Sequence, residues 1–81
     1  MMDKRKKRIK ELKEMIEVLI LAIPREIASQ QFYQAAVEKA TSETTRKFFL
    51  SLVEQEKSHE ANLTKILNNL QMELKQLKKQ K

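Results

Sequence analysis

Two runs of mostly apolar residues, each stepping by threes and fours, occupy nearly the whole chain. The first passes through Ile9, Leu12, Ile16, Leu19, Ile23, Glu26, Gln30, Tyr33, Val37 and Ala40. The second passes through Phe49, Leu52, Glu56, His59, Leu63, Ile66, Leu70, Leu74 and Leu77. Such spacing returns to one face of a helix every turn. No Gly and a single Pro, Pro24, occur among the 81 residues, which leaves little from which to build the turns of a sheet. The expected fold class is all-α.

Between the runs lies Thr41-Ser42-Glu43-Thr44-Thr45. Ser and Thr are good N-caps, and an acid such as Glu43 suits the first turn of a helix. The pattern predicts one helical-hairpin domain over residues 1–81, with helix 1 at about 4–40, a turn at about 41–43 and helix 2 at about 43–79. The competing reading, one unbroken helix, would be far longer than helices of globular proteins. If the chain reverses near Thr41, residues whose numbers sum to about 82 face each other. Leu12 then meets Leu70, Ile16 meets Ile66 and Leu19 meets Leu63, so apolar meets apolar. Helices patterned this way cross at about 20° from antiparallel. Pro24 falls inside the first run and predicts a kink, or a helix that restarts with Pro24 in its first turn.

The same register sets Glu26 beside Glu56, with Gln30 and His59 close by. The seam therefore turns polar on both helices at one height. A carboxylate in an apolar seam is costly unless it is paired or bound to a cation. Glu56-x-x-His59 puts a carboxylate and an imidazole one turn apart on one face. Glu26, Glu56 and His59 are thus the candidate metal ligands, while Glu60 is expected to point elsewhere. A hairpin of this size, without Cys to form disulfides, encloses little core, so metal binding or oligomerisation is the expected source of stability. Two copies related by a two-fold axis would supply four carboxylates and two histidines around two cations. That donor set suits iron or manganese better than structural zinc.

The stretch Glu26-Ile-Ala-Ser-Gln-Gln-Phe32-Tyr33, followed by Lys47-Phe48-Phe49, Leu52 and Glu56-Lys-Ser-His59, resembles the rubrerythrin branch of the ferritin-like superfamily. The likeness covers roughly residues 19–67 and is nearest to half-length, two-helix members such as encapsulated ferritins. Ferritin-like bundles take a Glu from each of two helices and a Glu-x-x-His from each of the other two. The resemblance implies a dimeric four-helix bundle holding two iron ions through Glu26, Glu56 and His59, with Tyr33 near the metals. It also implies iron oxidation, or reduction of oxygen or peroxide, as a ferroxidase or peroxide-reducing oxidoreductase. Rubrerythrins carry a Cys-rich domain that delivers electrons; with no Cys here, peroxide reduction would draw on an external donor.

The net charge of +6 sits at the two ends. Residues 1–14 carry seven Lys/Arg against three acids, and residues 71–81 carry four Lys against Glu73. A hairpin gathers these ends, Lys4 through Lys13 with Lys75, Lys78, Lys79 and Lys81. No base-stacking aromatic lies among them, so a solvated helix end is expected rather than a nucleic-acid or membrane partner. The apolar stretch after the basic N-terminus is interrupted by Glu17 and lacks a cleavage site, and no apolar run is long enough to span a bilayer. A cytoplasmic location is expected. With one His and no Gly or Cys, phosphate-cradling loops, zinc-protease motifs and activated-nucleophile arrangements are excluded. Two other readings fit the same residues: a metal-free oligomerisation module, and a basic-ended binder of nucleic acid or membrane.

Overall fold

The computed structural model describes residues 3–79. Helix α1 spans Lys4–Lys39 and helix α2 spans Glu43–Lys79, packed as an antiparallel hairpin. Asp3 caps α1, its carboxylate accepting from the Lys6 N–H at 2.8 Å. At the other end the Ala40 N–H donates to the Val37 carbonyl, and Ala40 leaves the helix in an extended conformation. Ser42 starts α2: its Oγ accepts from the Thr45 N–H at 3.1 Å, and Glu43 in the first turn pairs with Arg46 at 2.7 Å. Side-chain caps and an extended Ala40 reverse the chain, so no glycine is needed.

Helix α1 continues through Pro24. The expected alternative of a restart at Pro24 is therefore corrected. Proline offers no N–H to the carbonyl of Ile20, but both residues are exposed, so water can satisfy that carbonyl.

Contacts along the hairpin fix the register. Arg5 Nη1 donates to the Leu77 carbonyl at 3.3 Å, Arg8 pairs with Glu73, and Tyr33 stacks on Phe49 with ring centroids 6.3 Å apart. Each pair sums to 81 or 82, as chain reversal near Thr41 requires. The α1 seam is as expected from the sequence, with Leu12, Ile16 and Val37 buried. On α2 the expected Phe49, Leu63, Leu70, Leu74 and Leu77 lie half-buried on the seam, but the places expected for Leu52, His59 and Ile66 pass to the residues that follow them. Val53 is buried and Leu67 is half-buried, whereas Ile66 is 46% exposed. The expected pairing of Ile16 with Ile66 is thus corrected: Leu67 takes the inward place. In heptad terms, Ile9, Ile16, Ile23, Gln30 and Val37 are a and Leu12, Leu19, Glu26 and Tyr33 are d on α1. On α2, Val53, Glu60, Leu67 and Leu74 are a, and Phe49, Glu56, Leu63, Leu70 and Leu77 are d.

The molecule measures 61 × 17 × 13 Å and has an accessible surface of 6505 Å². A compact protein of this mass would expose about 5,100 Å². Two helices side by side cover only one seam. The surplus is apolar in several places: Met15, Val18, Phe32 and Ile66 are all about half exposed or more.

Candidate metal centre

Glu26 comes from the middle of α1, and Glu56 and His59 from the middle of α2. Both glutamates occupy d positions, so each projects toward the opposite helix. His59 occupies a g position, one turn on, and leans over the same gap from the edge. His59 Nδ1 lies 3.6 Å from Glu26 Oε2 and 3.8 Å from Glu56 Oε1. One potential ligand atom from each residue falls within 4.8 Å of the other two. Donors sharing one first-row metal at about 2.1 Å bond length stand no more than about 4.2 Å apart. Only a small closure would bring this group onto a single cation.

The electrostatics point the same way. Glu26 Oε2 is buried and makes no hydrogen bond. Buried polar oxygens are nearly always satisfied, and an ion is one of the few agents that satisfies such an atom. The Glu56 carboxyl titrates above its usual range: only when protonated can it donate a hydrogen bond to Glu26, burial and the Glu26 charge add to this, and His59 opposes it. Two carboxylates are held together with no Lys or Arg between them. The donor set therefore fits a divalent cation, whose charge two carboxylates would balance.

Gln30, one turn beyond Glu26, forms the neighbouring layer. Its Nε2 donates to Glu60 Oε1 at 2.6 Å and approaches the Glu56 carbonyl at 3.5 Å. Glu60 stays out of the three-residue group, yet it lies between the helices rather than pointing away. Its spacing of four from Glu56, and of seven from Val53, is the signal that would have placed it there. Tyr33 sits two turns from Glu26 in an aromatic layer, edge-on to Phe32 and stacked on Phe49, which in turn meets Phe48.

At the open end of the hairpin, Arg8 Nε and Nη2 grip Glu73 at 2.7 and 2.9 Å. The Arg8 guanidinium holds the Glu73 carboxyl below its usual range. Lys81, part of the expected basic cluster, lies outside the described residues. No helix among the described residues is long and apolar enough to cross a membrane.

The family model described as Rubrerythrin matches residues 17–81, most of the chain and all three members of the carboxylate–histidine group. Searches of the curated proteins and of the solved structures give no match.

Proposed function

This chain belongs to the rubrerythrin family, and on that premise we propose that two copies form a ferritin-like four-helix bundle with a di-iron centre shared between them. The family supports a ferritin-like di-iron type of protein. The observation that carries the assembled site is the unsatisfied, buried Oε2 of Glu26 beside Glu56 and His59. One hairpin offers two carboxylates and one imidazole, which balances one divalent ion in charge and leaves its coordination incomplete. A second copy would complete it.

The surface supports a second copy on the side that His59 occupies. Arg8 and Glu73, both at g, pair across the helices, so the g positions of α1 and α2 share one flank. His59 lies on that flank, with Met15 at g of α1 and Ile66 at g of α2. Val18 and Phe32, at c, border it on α1. An apolar flank centred on a half-formed ligand set suits burial against its own copy.

In this reading Glu26 and Glu56 would hold the cations through their carboxylates, and His59, whose Nδ1 faces both, would add an imidazole. Iron, when bound, would supply reversible one-electron chemistry toward oxygen or peroxide. The Tyr33–Phe49 layer would exclude water on the side of the turn. Gln30, between that layer and Glu26 on α1, would brace the ligands through its hydrogen bond to Glu60. Iron oxidation or peroxide reduction follows as the activity, the latter with an external reductant.

Anaerobic titration with ferrous iron, followed by admission of oxygen or peroxide, tests this. We expect one iron per chain and oxidation faster than that of iron in buffer, both lost in His59→Ala. Unchanged stoichiometry in His59→Ala, or oxidation no faster than in buffer, would contradict it.

A further inference from the structure

The two flanks of the hairpin differ in how their charges are matched. On the g side of the open end, Arg8 is held by Glu73 and Glu11. The opposite, e side carries Lys6 and Lys13 on α1 and Lys78 on α2, with Lys10 and Lys75 at the adjoining b positions. None of these five lysines forms an ion pair with a described residue, neither with Glu17, which shares the b row of Lys10, nor with Glu14 on the outer face. Beside the α2 lysines, with Ile16 of α1 at one wall, opens a notch of about 460 Å³ lined also by Gln71, Leu74, Lys75, Lys78 and Lys79. Its floor is apolar and its rim cationic. Farther along the same flank Ile20 is 51% exposed.

We propose that this lysine-rimmed flank docks the protein on an anionic membrane surface, with lipid headgroups meeting the lysines and the notch and Ile20 facing the acyl boundary. Several features select a lipid surface over a nucleic acid. All five charges are lysines, point charges on long stems that can lie along apolar surface while reaching headgroups. The flank is flat, two helices wide, and apolar between its charges, as interfacial binding requires. It lacks the aromatics that stack bases. Each lysine near an anionic leaflet adds attraction within a Debye length, so a cluster of five acts together. The flank also lies opposite the one bearing His59, and Arg8 is about 27 Å along α1 from Glu26. Docking there would leave both the ligands and the proposed dimer contact uncovered.

The test is sedimentation with vesicles of phosphatidylcholine alone, and of phosphatidylcholine with about one-third phosphatidylglycerol. Binding is expected only to the anionic vesicles and is expected to be released by salt. A Lys10→Gln/Lys75→Gln/Lys78→Gln variant should bind on the order of 100-fold more weakly. The equal-charge control Lys4→Gln/Lys39→Gln/Lys65→Gln, off this flank, should bind nearly as the unaltered chain does. Circular dichroism of both variants checks that the hairpin is intact, and the salt dependence of the unaltered chain stands without any variant. Equal binding to both vesicle types, equal losses in both triple variants, or displacement from vesicles by duplex DNA at matched phosphate would each overturn the proposal. Iron binding is measured separately, so failure here is distinct from failure of the metal reading.

Discussion

Two polar layers interrupt the contact between the helices, and they are built oppositely. At Arg8–Glu73 a carboxylate meets a guanidinium in a two-pronged grip, and Glu73 titrates low. At Glu26–Glu56 a carboxylate meets a carboxylate, and Glu56 titrates high. The first layer contains its own counter-charge. The second lacks one, and it is buried more deeply: the Glu56 side chain is 19% exposed, against 41% for Glu73. A chain that places lysines and arginines freely at its ends has put none on the seam at its middle layer, where Arg25 and Lys57 sit outside the seam. The difference marks that layer as a receptor for an external cation, whereas the other is a finished ion pair.

The sharpest way to break this comparison is to remove one acid from each layer. Glu56→Ala should weaken ferrous iron binding by roughly 100-fold or more, since loss even of groups that only orient a ligand costs 10–100-fold. Glu73→Ala should leave it unchanged; competition with a chromogenic chelator would measure both. Next in size is the effect on assembly. Ile66→Lys, on the flank with His59, should weaken self-association at least tenfold by sedimentation equilibrium, because it would bury a charge in the dimer contact. Ile20→Lys, on the other flank, should not. A third effect is thermal. Ferrous iron at about 100 times its dissociation constant adds about 2.7 kcal/mol, which should raise Tm by roughly 10–20 °C in a chain of this size. A chelator should reverse the rise, and Glu73→Ala should retain it.

The smallest effect is a difference in pH slope. Glu56 has a folded pKa above its unfolded value, so the metal-free fold binds the extra proton. Its stability should fall as pH rises from the ordinary glutamate range through that raised value. Glu73 has the opposite sign: its contribution is present above the unfolded pKa and is lost as pH falls through the lowered one. In thermal melts without metal, Glu26→Gln should flatten the first slope and Glu73→Gln the second. Because iron needs ionised Glu56, iron affinity should drop on acidification at a higher pH than an ordinary glutamate would dictate.

The hairpin and its register were legible in the sequence because both apolar runs are long and the Thr/Ser stretch between them is short. The inward set of α1 was legible residue by residue. That of α2 was legible at Phe49, Glu56, Leu63, Leu70, Leu74 and Leu77 but not at the places between, for a definite reason. Leu52 stands next to Val53, and Ile66 next to Leu67, so periodicity alone accepts either member of each pair. The choice is made by the fit of α2 against α1, which turns Val53 and Leu67 inward. The same rotation carries Glu60 between the helices to meet Gln30, and leaves His59 at the edge of the seam. Spacing alone brought Glu26, Glu56 and His59 to one level, since residues at the centre of a rotated seam stay near its centre. The passage of α1 through Pro24 was not legible, because it depends on Ile20 and Pro24 being open to water.

The central claim is that one half of a metal centre resides in each hairpin and that a second copy supplies the rest. Anomalous diffraction at the iron edge, from crystals grown with ferrous iron, tests it most directly. The account predicts two iron ions between two copies, each within bonding distance of Glu26, Glu56 and His59 side chains. Iron bound elsewhere on a single copy, with those three groups turned to solvent, would contradict it.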